Sequence, residues 1–333
     1  ASGAPCINLD AWAMDGGTLG TLAASHATGH DYLIAEGAMG LFDGAASGKG
    51  SAADLASSLQ LPVILVVDCA KQAQSVAALV SGFKHFRSDV QVTGVILNRV
   101  GSARHEAMLR AALSGCDITV LGAIPRKDAL ILPERHLGLV QAHEHPDLDA
   151  FLEIAARIVE DHLDLAAVKM LAQDIATPAA KARSLPSPFG QRIAVAKDVA
   201  FAFSYVHLLD HWRRMGAEIS FFSPLANAAP RSDADAVYLP GGYPELHASV
   251  LANAKTFVSG VRNAAANGAL IYGECGGYMI LGDGLVDADG YRYEMLGFLP
   301  LETSFQTRKR HLGYRIVTAK TGAPWSGELA AHE

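Results

Sequence analysis

The feature of the sequence that most restricts its fold is a repeated alternation of short apolar runs with longer amphipathic stretches. The first half contains four apolar runs, which we interpret as strands at 32–35, 62–67, 92–97 and 118–124. Amphipathic stretches typical of helices lie between them, at 73–86 and 104–113. Because apolar strands that alternate with helices are buried on both sides, the pattern predicts a parallel sheet covered by helices on both faces.

A change of texture at 177–191 divides the chain. This segment is rich in Pro, Ser and Ala and has no hydrophobic period, which is typical of an interdomain linker. Beyond it the alternation restarts, with strands expected at 193–196, 219–222, 236–239, 269–272 and 312–317 and helices at 199–212 and 246–266. We therefore predict two α/β domains, at 1–176 and 192–333, which agrees with a length of 333 residues.

The composition excludes several classes of protein. Half of the residues are hydrophobic and 18% are charged, so packed cores are expected rather than disorder. The longest apolar run, 61–67, is far shorter than the roughly 20 residues of a membrane helix. A net charge of -7, with no basic run longer than 308–310, argues against nucleic-acid binding. Four cysteines without C-x-x-C spacing indicate a reducing compartment, and no secretory signal is visible, so we expect a cytoplasmic protein.

A cysteine between glycines carries the sharpest chemical signal. An apolar strand leads into Gly-Glu-Cys-Gly-Gly at 273–277, and a helical stretch follows, which matches the G-x-C-x-G form of the nucleophile elbow. Flanking glycines avoid clashes at such a turn, and the start of a helix favours the thiolate of Cys275. The next backbone N–H, on Gly276, can stabilise an oxyanion. We predict that Cys275 is a nucleophile; the alternative is a structural cysteine buried at a strand end.

A second glycine-rich turn follows the strand at 236–239. It contains Gly241 and Gly242, and a turn of this kind at the carboxyl end of a strand exposes backbone N–H groups. Gly242 or Tyr243 would then supply the other half of an oxyanion hole. The alternative is an ordinary strand-to-helix turn.

Two acidic residues mark the first domain. Glu36 and Asp43 lie seven positions apart among glycines, after an apolar run, which suits a Mg²⁺-ATP site at the carboxyl edge of a sheet. The alternative is a pair of solvated loop acids. The segment 44–51 does not fit a phosphate loop, because its spacing is too short and Gly50 stands where a hydroxyl residue is needed. We predict instead that Ser51 caps a helix, with Asp54 completing a capping box.

Several motifs together resemble one family. Pro-Gly-Gly-Tyr-Pro-Glu and Gly-Glu-Cys-Gly-Gly-Tyr-Met resemble class I glutamine amidotransferases, and more narrowly the branch fused to cobyrinic acid a,c-diamide synthases. The segments 299–305 and 311–315 are also similar to that branch. In the first domain, the motif at 36–44 and the segments 8–12, 62–68 and 95–99 resemble the synthetase part of the same enzymes. That part is in turn similar to dethiobiotin synthetase, a P-loop relative.

The resemblance implies a fold and an activity. A P-loop-type synthetase domain would precede a flavodoxin-like glutaminase domain. Cys275 would attack glutamine and release ammonia, and ATP with Mg²⁺ at Glu36 and Asp43 would activate the a- and c-acetate carboxylates of cobyrinate or hydrogenobyrinate, a corrinoid. Asn98 would contact adenine; its alternative is a turn asparagine at a strand end. A homodimer is left open.

The resemblance also predicts which parts of the family pattern are missing. The family histidine is the second in a Gly-His-Glu-Phe-His-like segment, whereas His332 matches the first, so the catalytic histidine would fall after Glu333. The phosphate loop would lie before Ala1, which is not a methionine. We therefore expect a fragment that is inactive as a synthetase.

Other assignments stay open at this level. A cobyric acid synthase-like amidase or a nickel-sirohydrochlorin a,c-diamide synthase shares much of the pattern, although 299–305 favours the a,c-diamide branch. A different class would be a ligand-binding relative that has lost the chemistry. His143 and His145 form a weak candidate metal site in a polar loop.

Overall fold

The computed structural model describes residues 6–132, 134–135, 138–139, 141–175, 185–306, 313–321, 323–325 and 327–332. The chain divides into two compact units, Ala1–Ala182 and Arg183–Glu333. Most of the predicted linker, 176–184, lies outside the described residues.

The first unit contains a parallel sheet with helices. Its helices are α1 (Gly16–Ala27), α2 (Ala52–Leu59), α3 (Ser75–Phe86), α4 (Ala103–Leu113), α5 (Leu148–His162) and α6 (Leu165–Met170). Its strands are β1 (Val63–Asp68), β2 (Val92–Val100), β3 (Thr119–Pro125), β4 (Glu134–Arg135) and β5 (Gly138–Leu139). The strands β1, β2 and β3 run parallel in that order, and β4 pairs with β5 in an antiparallel hairpin. The three central strands were predicted from their apolar runs to within one to three residues.

The core of this unit lies between the sheet and two helices. Val95 and Leu97 of β2 are fully buried and pack with Val80 of α3 and with Leu109 and further residues of α4. Burial of such a side chain stabilises a fold by about 1.5–3 kcal/mol. The sheet therefore holds the carboxyl ends of β1 and β2 side by side, with Asp68 of β1 in register with Asn98 of β2.

The strand predicted at 32–35 is wrong. These residues have no regular secondary structure, and Ile34 is 90% exposed. A strand is stabilised by hydrogen bonds to a neighbouring strand, and no described segment pairs with this one. The apolar composition is therefore that of a strand, but the pairing that would make it one is missing.

The helix predicted after Ser51 is confirmed in detail. Ser51 is the N-cap of α2; its hydroxyl accepts from the N–H of Asp54, and the Asp54 carboxylate accepts from the N–H of Ser51. The segment 44–51 is thus a turn that ends in a capping box.

The second unit contains a four-stranded parallel sheet and smaller sheets. Its helices are α7 (Val206–Arg214), α8 (Ala248–Asn253), α9 (Lys255–Ala266) and α10 (Gly276–Ile280). Its strands are β6 (Arg192–Ala196), β7 (Glu218–Phe222), β8 (Ala236–Leu239), β9 (Leu270–Gly273), β10 (Gly282–Val286), β11 (Arg292–Glu294), β12 (Leu299–Ser304), β13 (Tyr314–Thr318) and β14 (Glu328–His332). The main sheet has the order β7-β6-β8-β9, while β10 pairs with β11 and β12, and β13 pairs with β14.

This order makes the carboxyl ends of β6 and β8 a topological switch point. The connection after β6 leads to β7 on one side and the connection after β7 leads to β8 on the other side, and ligands of open α/β sheets bind at such a point. Strand residues alternate between two cores: Val237 and Leu239 pack on one side with Phe257 of α9, whereas Tyr238 packs on the other with Trp212 of α7. The fold is of the α/β class predicted from the sequence, with parallel sheets in both units.

Two of the predicted helices differ from the structure. The helix predicted at 199–212 begins only at Val206, because Phe203 forms an isolated bridge to Gly241 and so leaves the helical path. The helix predicted at 246–266 is divided into a short 3-10 turn (Pro244–His247), α8 and α9, with Ala254 in a non-helical conformation (φ -78°, ψ 69°) between the last two. In the described residues no helix is long and apolar enough to cross a membrane.

Candidate active site

Cys275 occupies a sharp turn between β9 and α10. It is the N-cap of α10, its backbone is left-handed (φ 50°, ψ -117°), and its side chain is exposed. A non-glycine residue adopts a positive φ at a cost, and such residues concentrate at functional sites. The turn predicted from the sequence is therefore present, and it presents the thiol to solvent.

The Gly-Gly turn after β8 lies directly against this cysteine. A methyl group placed on Gly241 would lie 3.1 Å from Cβ and 3.4 Å from Sγ of Cys275. The two turns that the sequence singled out separately, 34 positions apart, thus meet at one point. A side chain at position 241 would therefore press on Cβ of Cys275.

Gly276 brings the start of α10 equally close to the same turn. A Cβ on Gly276 would lie 2.6 Å from Cδ of Pro244 and 3.1 Å from the carbonyl oxygen of Gly242. As the first residue of α10, Gly276 has no intrahelical acceptor for its N–H. The start of α10 and the Gly241–Gly242 turn therefore both lie beside Cys275.

Two aromatic residues complete the surroundings of the turn. The N–H of Phe203 donates to the carbonyl of Gly241 (3.0 Å), and the Phe203 ring lies beside the same glycine. Its ring also stands edge-on to Tyr243 at 5.3 Å, and Tyr243 is only 2% exposed. Sequence reasoning missed Phe203; its place after β6, at the carboxyl edge of the sheet, was the available signal.

A buried acid also escaped the sequence analysis. Glu274, next to Cys275, accepts a short hydrogen bond from the hydroxyl of Tyr238 and lies 3.5 Å from that of Tyr272. Burial raises the pKa of Glu274, and the two tyrosine hydrogen bonds offset only part of that effect. Burial and the neighbouring Glu274 carboxylate raise the pKa of both tyrosines. Within the motif G-x-C-x-G this position is unrestricted, so the pattern gave it no weight.

In the first unit, Glu36 and Asp43 are both exposed. Two exposed carboxylates are hard oxygen donors, and Mg²⁺ is commonly held by one or two carboxylates together with phosphate oxygens and water. In the described part of the chain no three His, Cys, Asp or Glu side chains form a metal cluster. His145 instead accepts from the N–H of Asp147 and packs on Phe151, and the side chain of His143 lies outside that part.

The carboxyl ends of β1 and β2 form a polar edge around Asn98. Arg99 has a positive φ of 59°, and its guanidinium donates to Asp68 across the two strands (2.7 Å). The side-chain oxygen of Asn98 accepts from the N–H of Arg99, which leaves the amide nitrogen of Asn98 as the available donor. The Asp68–Arg99 pair was not predicted, although both residues follow apolar strand runs.

Of the remaining residues named in the sequence analysis, several cannot be placed. The side chain of His332 and the segment 307–312 lie outside the described residues, so the histidine comparison is not tested. The segment 299–305 contains β12 (Leu299–Ser304), and Leu299 and Phe305 pack against the core that includes α9.

Comparison with known proteins agrees with the division of the chain into two compact units. Residues 192–333 match the family model of a CobB/CobQ-like glutamine amidotransferase domain, and residues 5–134 match that of an AAA domain. The second unit carries the cysteine turn beside a Gly-Gly turn at the carboxyl edge of a parallel sheet, and the AAA domain precedes it. The chain is therefore of the class of ligases that use glutamine as their nitrogen donor.

Similar proteins extend over the whole chain. Hydrogenobyrinate a,c-diamide synthases from Brucella suis biovar 1 and from Rhizobium meliloti are 58% and 59% identical to it, each over 100% of the chain and 77% of the relative. The enzyme of the same name from Mesorhizobium japonicum is 49% identical over 99% of the chain and 76% of the relative. The chain belongs to the hydrogenobyrinate a,c-diamide synthase family.

Proposed function

We propose that this protein uses glutamine and ATP to convert the a- and c-acetate carboxylates of hydrogenobyrinate into amides. The observation that carries the proposal is the left-handed, exposed Cys275 in contact with Gly241. The relatives are named for hydrogenobyrinate, the metal-free acceptor, which supports this acceptor over cobyrinate.

The second unit would release ammonia from glutamine. The sulfur of Cys275 attacks the side-chain amide carbon, so that a C–S bond forms and the carbonyl electrons move to oxygen. The N–H of Gly276 and the Gly241–Gly242 turn stabilise this oxyanion, with Gly242 or Tyr243 as the second donor. Collapse of the intermediate breaks the C–N bond, the departing nitrogen takes up the thiol proton and leaves as ammonia, and water then hydrolyses the thioester to glutamate.

Phe203 would shape the glutamine pocket. Its exposed ring lies against Gly241, which also contacts Cys275. A flat apolar surface there suits the two methylene groups of the glutamine side chain and excludes water from the thioester.

The first unit would activate the acceptor. A carboxylate reacts poorly with ammonia because its charge repels nucleophiles, whereas its acyl phosphate has a good leaving group. Glu36 and Asp43 fit Mg²⁺ by their donor chemistry, and Asn98 has an amide donor available for adenine. When bound, Mg²⁺ neutralises phosphate charge during transfer of the phosphoryl group.

The need for both units follows from the chemistry of ammonia. In water near neutral pH most ammonia is protonated and therefore not nucleophilic. Nitrogen released within the enzyme can instead meet the acyl phosphate before it is protonated. Displacement of phosphate from the acyl carbon then gives the amide.

The test follows the amide nitrogen. The protein, extended to the length of its relatives, is incubated with hydrogenobyrinate, ATP and glutamine labelled at the amide nitrogen. The product is then analysed by mass spectrometry. The proposal predicts a diamide that carries two labelled nitrogens and forms only with ATP. A diamide without the labelled nitrogens, or amidation of another acceptor with no product from hydrogenobyrinate, would contradict it.

A further inference from the structure

A buried carboxyl group joins the two turns of the candidate active site. Glu274 precedes Cys275, and its partner Tyr238 lies on β8, three positions before Gly241. Strands β8 and β9 run parallel, with Tyr238 in register with Tyr272. The hydrogen bond from Tyr238 to Glu274 therefore connects the strand that ends in the Gly-Gly turn to the strand that ends in the cysteine turn.

The backbone of Glu274 is also tied to both sides. Its N–H donates to the carbonyl of Leu239 (3.2 Å), and its own carbonyl accepts from the N–H of Gly277 (2.8 Å). Glu274 thus contacts β8 through backbone and side chain and contacts α10 through its carbonyl. A change at this position acts on both elements that flank the sulfur.

The surroundings of the Glu274 carboxyl group make its burial unfavourable for the stability of the fold. Tyr238 is 1% exposed, and the rings around the two tyrosines belong to Phe189, Trp212 and Trp325. In the described part of the chain no Lys, Arg or His forms an ion pair with Glu274. A buried acid without a cation lowers stability, and such exceptions to packing rules occur at functional positions.

We propose that Glu274 is a positioning residue, whose carboxyl group, held by Tyr238, fixes the Cys275 turn against the Gly241–Gly242 turn. It touches neither glutamine nor the reacting atoms. It keeps the sulfur and the oxyanion donors in register, and a small displacement of either is enough to slow acyl transfer. The inference rests on the proposed glutaminase reaction of Cys275.

Burial adds a second consequence. Because burial disfavours the ionised form and raises the pKa of Glu274, this residue places less negative charge beside Cys275 than an exposed glutamate would.

The test compares two reagents on the thiol of Cys275. 6-Diazo-5-oxonorleucine mimics glutamine and requires the assembled site, whereas iodoacetamide requires only an accessible thiolate. The variants are Glu274→Gln, which keeps an acceptor for Tyr238, Glu274→Leu, which removes it, and Tyr238→Phe. Tyr272→Phe is the matched control, because the hydroxyl that it removes makes only a long hydrogen bond of 3.5 Å to Glu274. All are measured in the protein extended to the length of its relatives.

We expect Glu274→Leu and Tyr238→Phe to lower the ratio of the two alkylation rates about tenfold, the size of one lost buried hydrogen bond. Glu274→Gln and Tyr272→Phe should stay within about threefold of the parent. In steady-state hydrolysis of glutamine the loss should fall on kcat rather than KM, because binding is unchanged. If Glu274→Leu does not fold, Tyr238→Phe decides.

An unchanged ratio in a folded Tyr238→Phe or Glu274→Leu protein would overturn the inference. So would a loss in Glu274→Gln as large as in Glu274→Leu, since the amide retains the hydrogen bond. Failure of the parent protein to react at Cys275 would instead refute the proposed function, so the two failures are distinguishable.

Discussion

The backbone of Gly241 touches the side chain of Cys275 so closely that a methyl group on residue 241 would stand 3.4 Å from Sγ and 3.1 Å from Cβ. The distance to Cβ is tighter than ordinary carbon contacts, so Cβ of Cys275, and with it the sulfur that it carries, would have to shift by a few tenths of an ångström. Two turns that are distant in sequence therefore depend on each other for their geometry.

This contact predicts a graded effect of side-chain size at position 241. Gly241→Ala should lower the glutamine-dependent rate by about tenfold to a hundredfold, because displacement of a reacting atom is costly, and Gly241→Val should abolish it. The rate with ammonia as nitrogen source should change little in both. Gly82→Ala, on α3 with open space around the added methyl, is the control. Equal glutamine rates for all three proteins would show that the contact has no role.

Glu36 is predicted to serve the activation of the acceptor carboxylate, a step that amidation with glutamine and amidation with ammonia share. Glu36→Gln removes one of the two candidate Mg²⁺ ligands, so amidation should fall at least a hundredfold with glutamine and with ammonia alike. Asp31→Asn, at an exposed acid five positions earlier, should be without effect. Steady-state rates of amide formation measure both. Retained turnover with ammonia in Glu36→Gln would remove Glu36 from the proposed site.

The raised pKa of Glu274 predicts a pH dependence of stability. The folded state holds this proton more firmly than the unfolded state, so the contribution is complete below about pH 4.5 and is lost as the pH rises through the folded-state pKa. Glutamine at position 274 cannot titrate, so the Glu274→Gln protein should lose less stability as the pH rises through that window. The groups that face the carboxyl are Tyr238 and Tyr272, and both remain neutral there because their pKa values are raised. Urea unfolding from pH 4 to pH 8 measures the free energy of unfolding of both proteins. The same pH dependence in the two proteins would contradict the prediction.

The capping box of α2 predicts a stability effect without a direct effect on chemistry. Ser51→Ala removes the acceptor for the Asp54 N–H and should lower the free energy of unfolding of the first unit by about 0.5–2 kcal/mol. Ser47→Ala, in the exposed turn just before it, should change it by less than about 0.5 kcal/mol. Thermal unfolding followed by circular dichroism is sufficient. Equal midpoints for the two variants would mean that the cap contributes nothing.

Much of the fold could be predicted because it depends on local patterns. The strands β1 and β8 are nearly continuous apolar runs, and the capping box is read from four consecutive residues. The segment 32–35 shows the limit of this reasoning, because its composition is that of a strand whereas strand formation depends on a partner elsewhere. The late start of α7 has the same origin, since the bridge from Phe203 to Gly241 spans distant segments.

The candidate site likewise contains some residues that the sequence predicts and others that it does not. Cys275 and the Gly241–Gly242 turn carry their own signals, because strained turns need glycine. No such motif specifies Phe203 or Glu274: each acquires its role from a residue that the fold brings to it, Gly241 in one case and Tyr238 in the other. A side chain whose role depends on a long-range contact becomes visible only in three dimensions.

The most direct measurement for the whole account is the dependence of amidation on nitrogen source in Cys275→Ala. In the protein extended to the length of its relatives, the account predicts that this variant loses glutamine-dependent amidation and keeps the ammonia-dependent rate within about twofold, since only the thioester step is removed. Cys6→Ala, at another exposed cysteine, should keep both rates. Loss of both activities in a folded Cys275→Ala protein, or survival of the glutamine-dependent one, would contradict the assignment of Cys275.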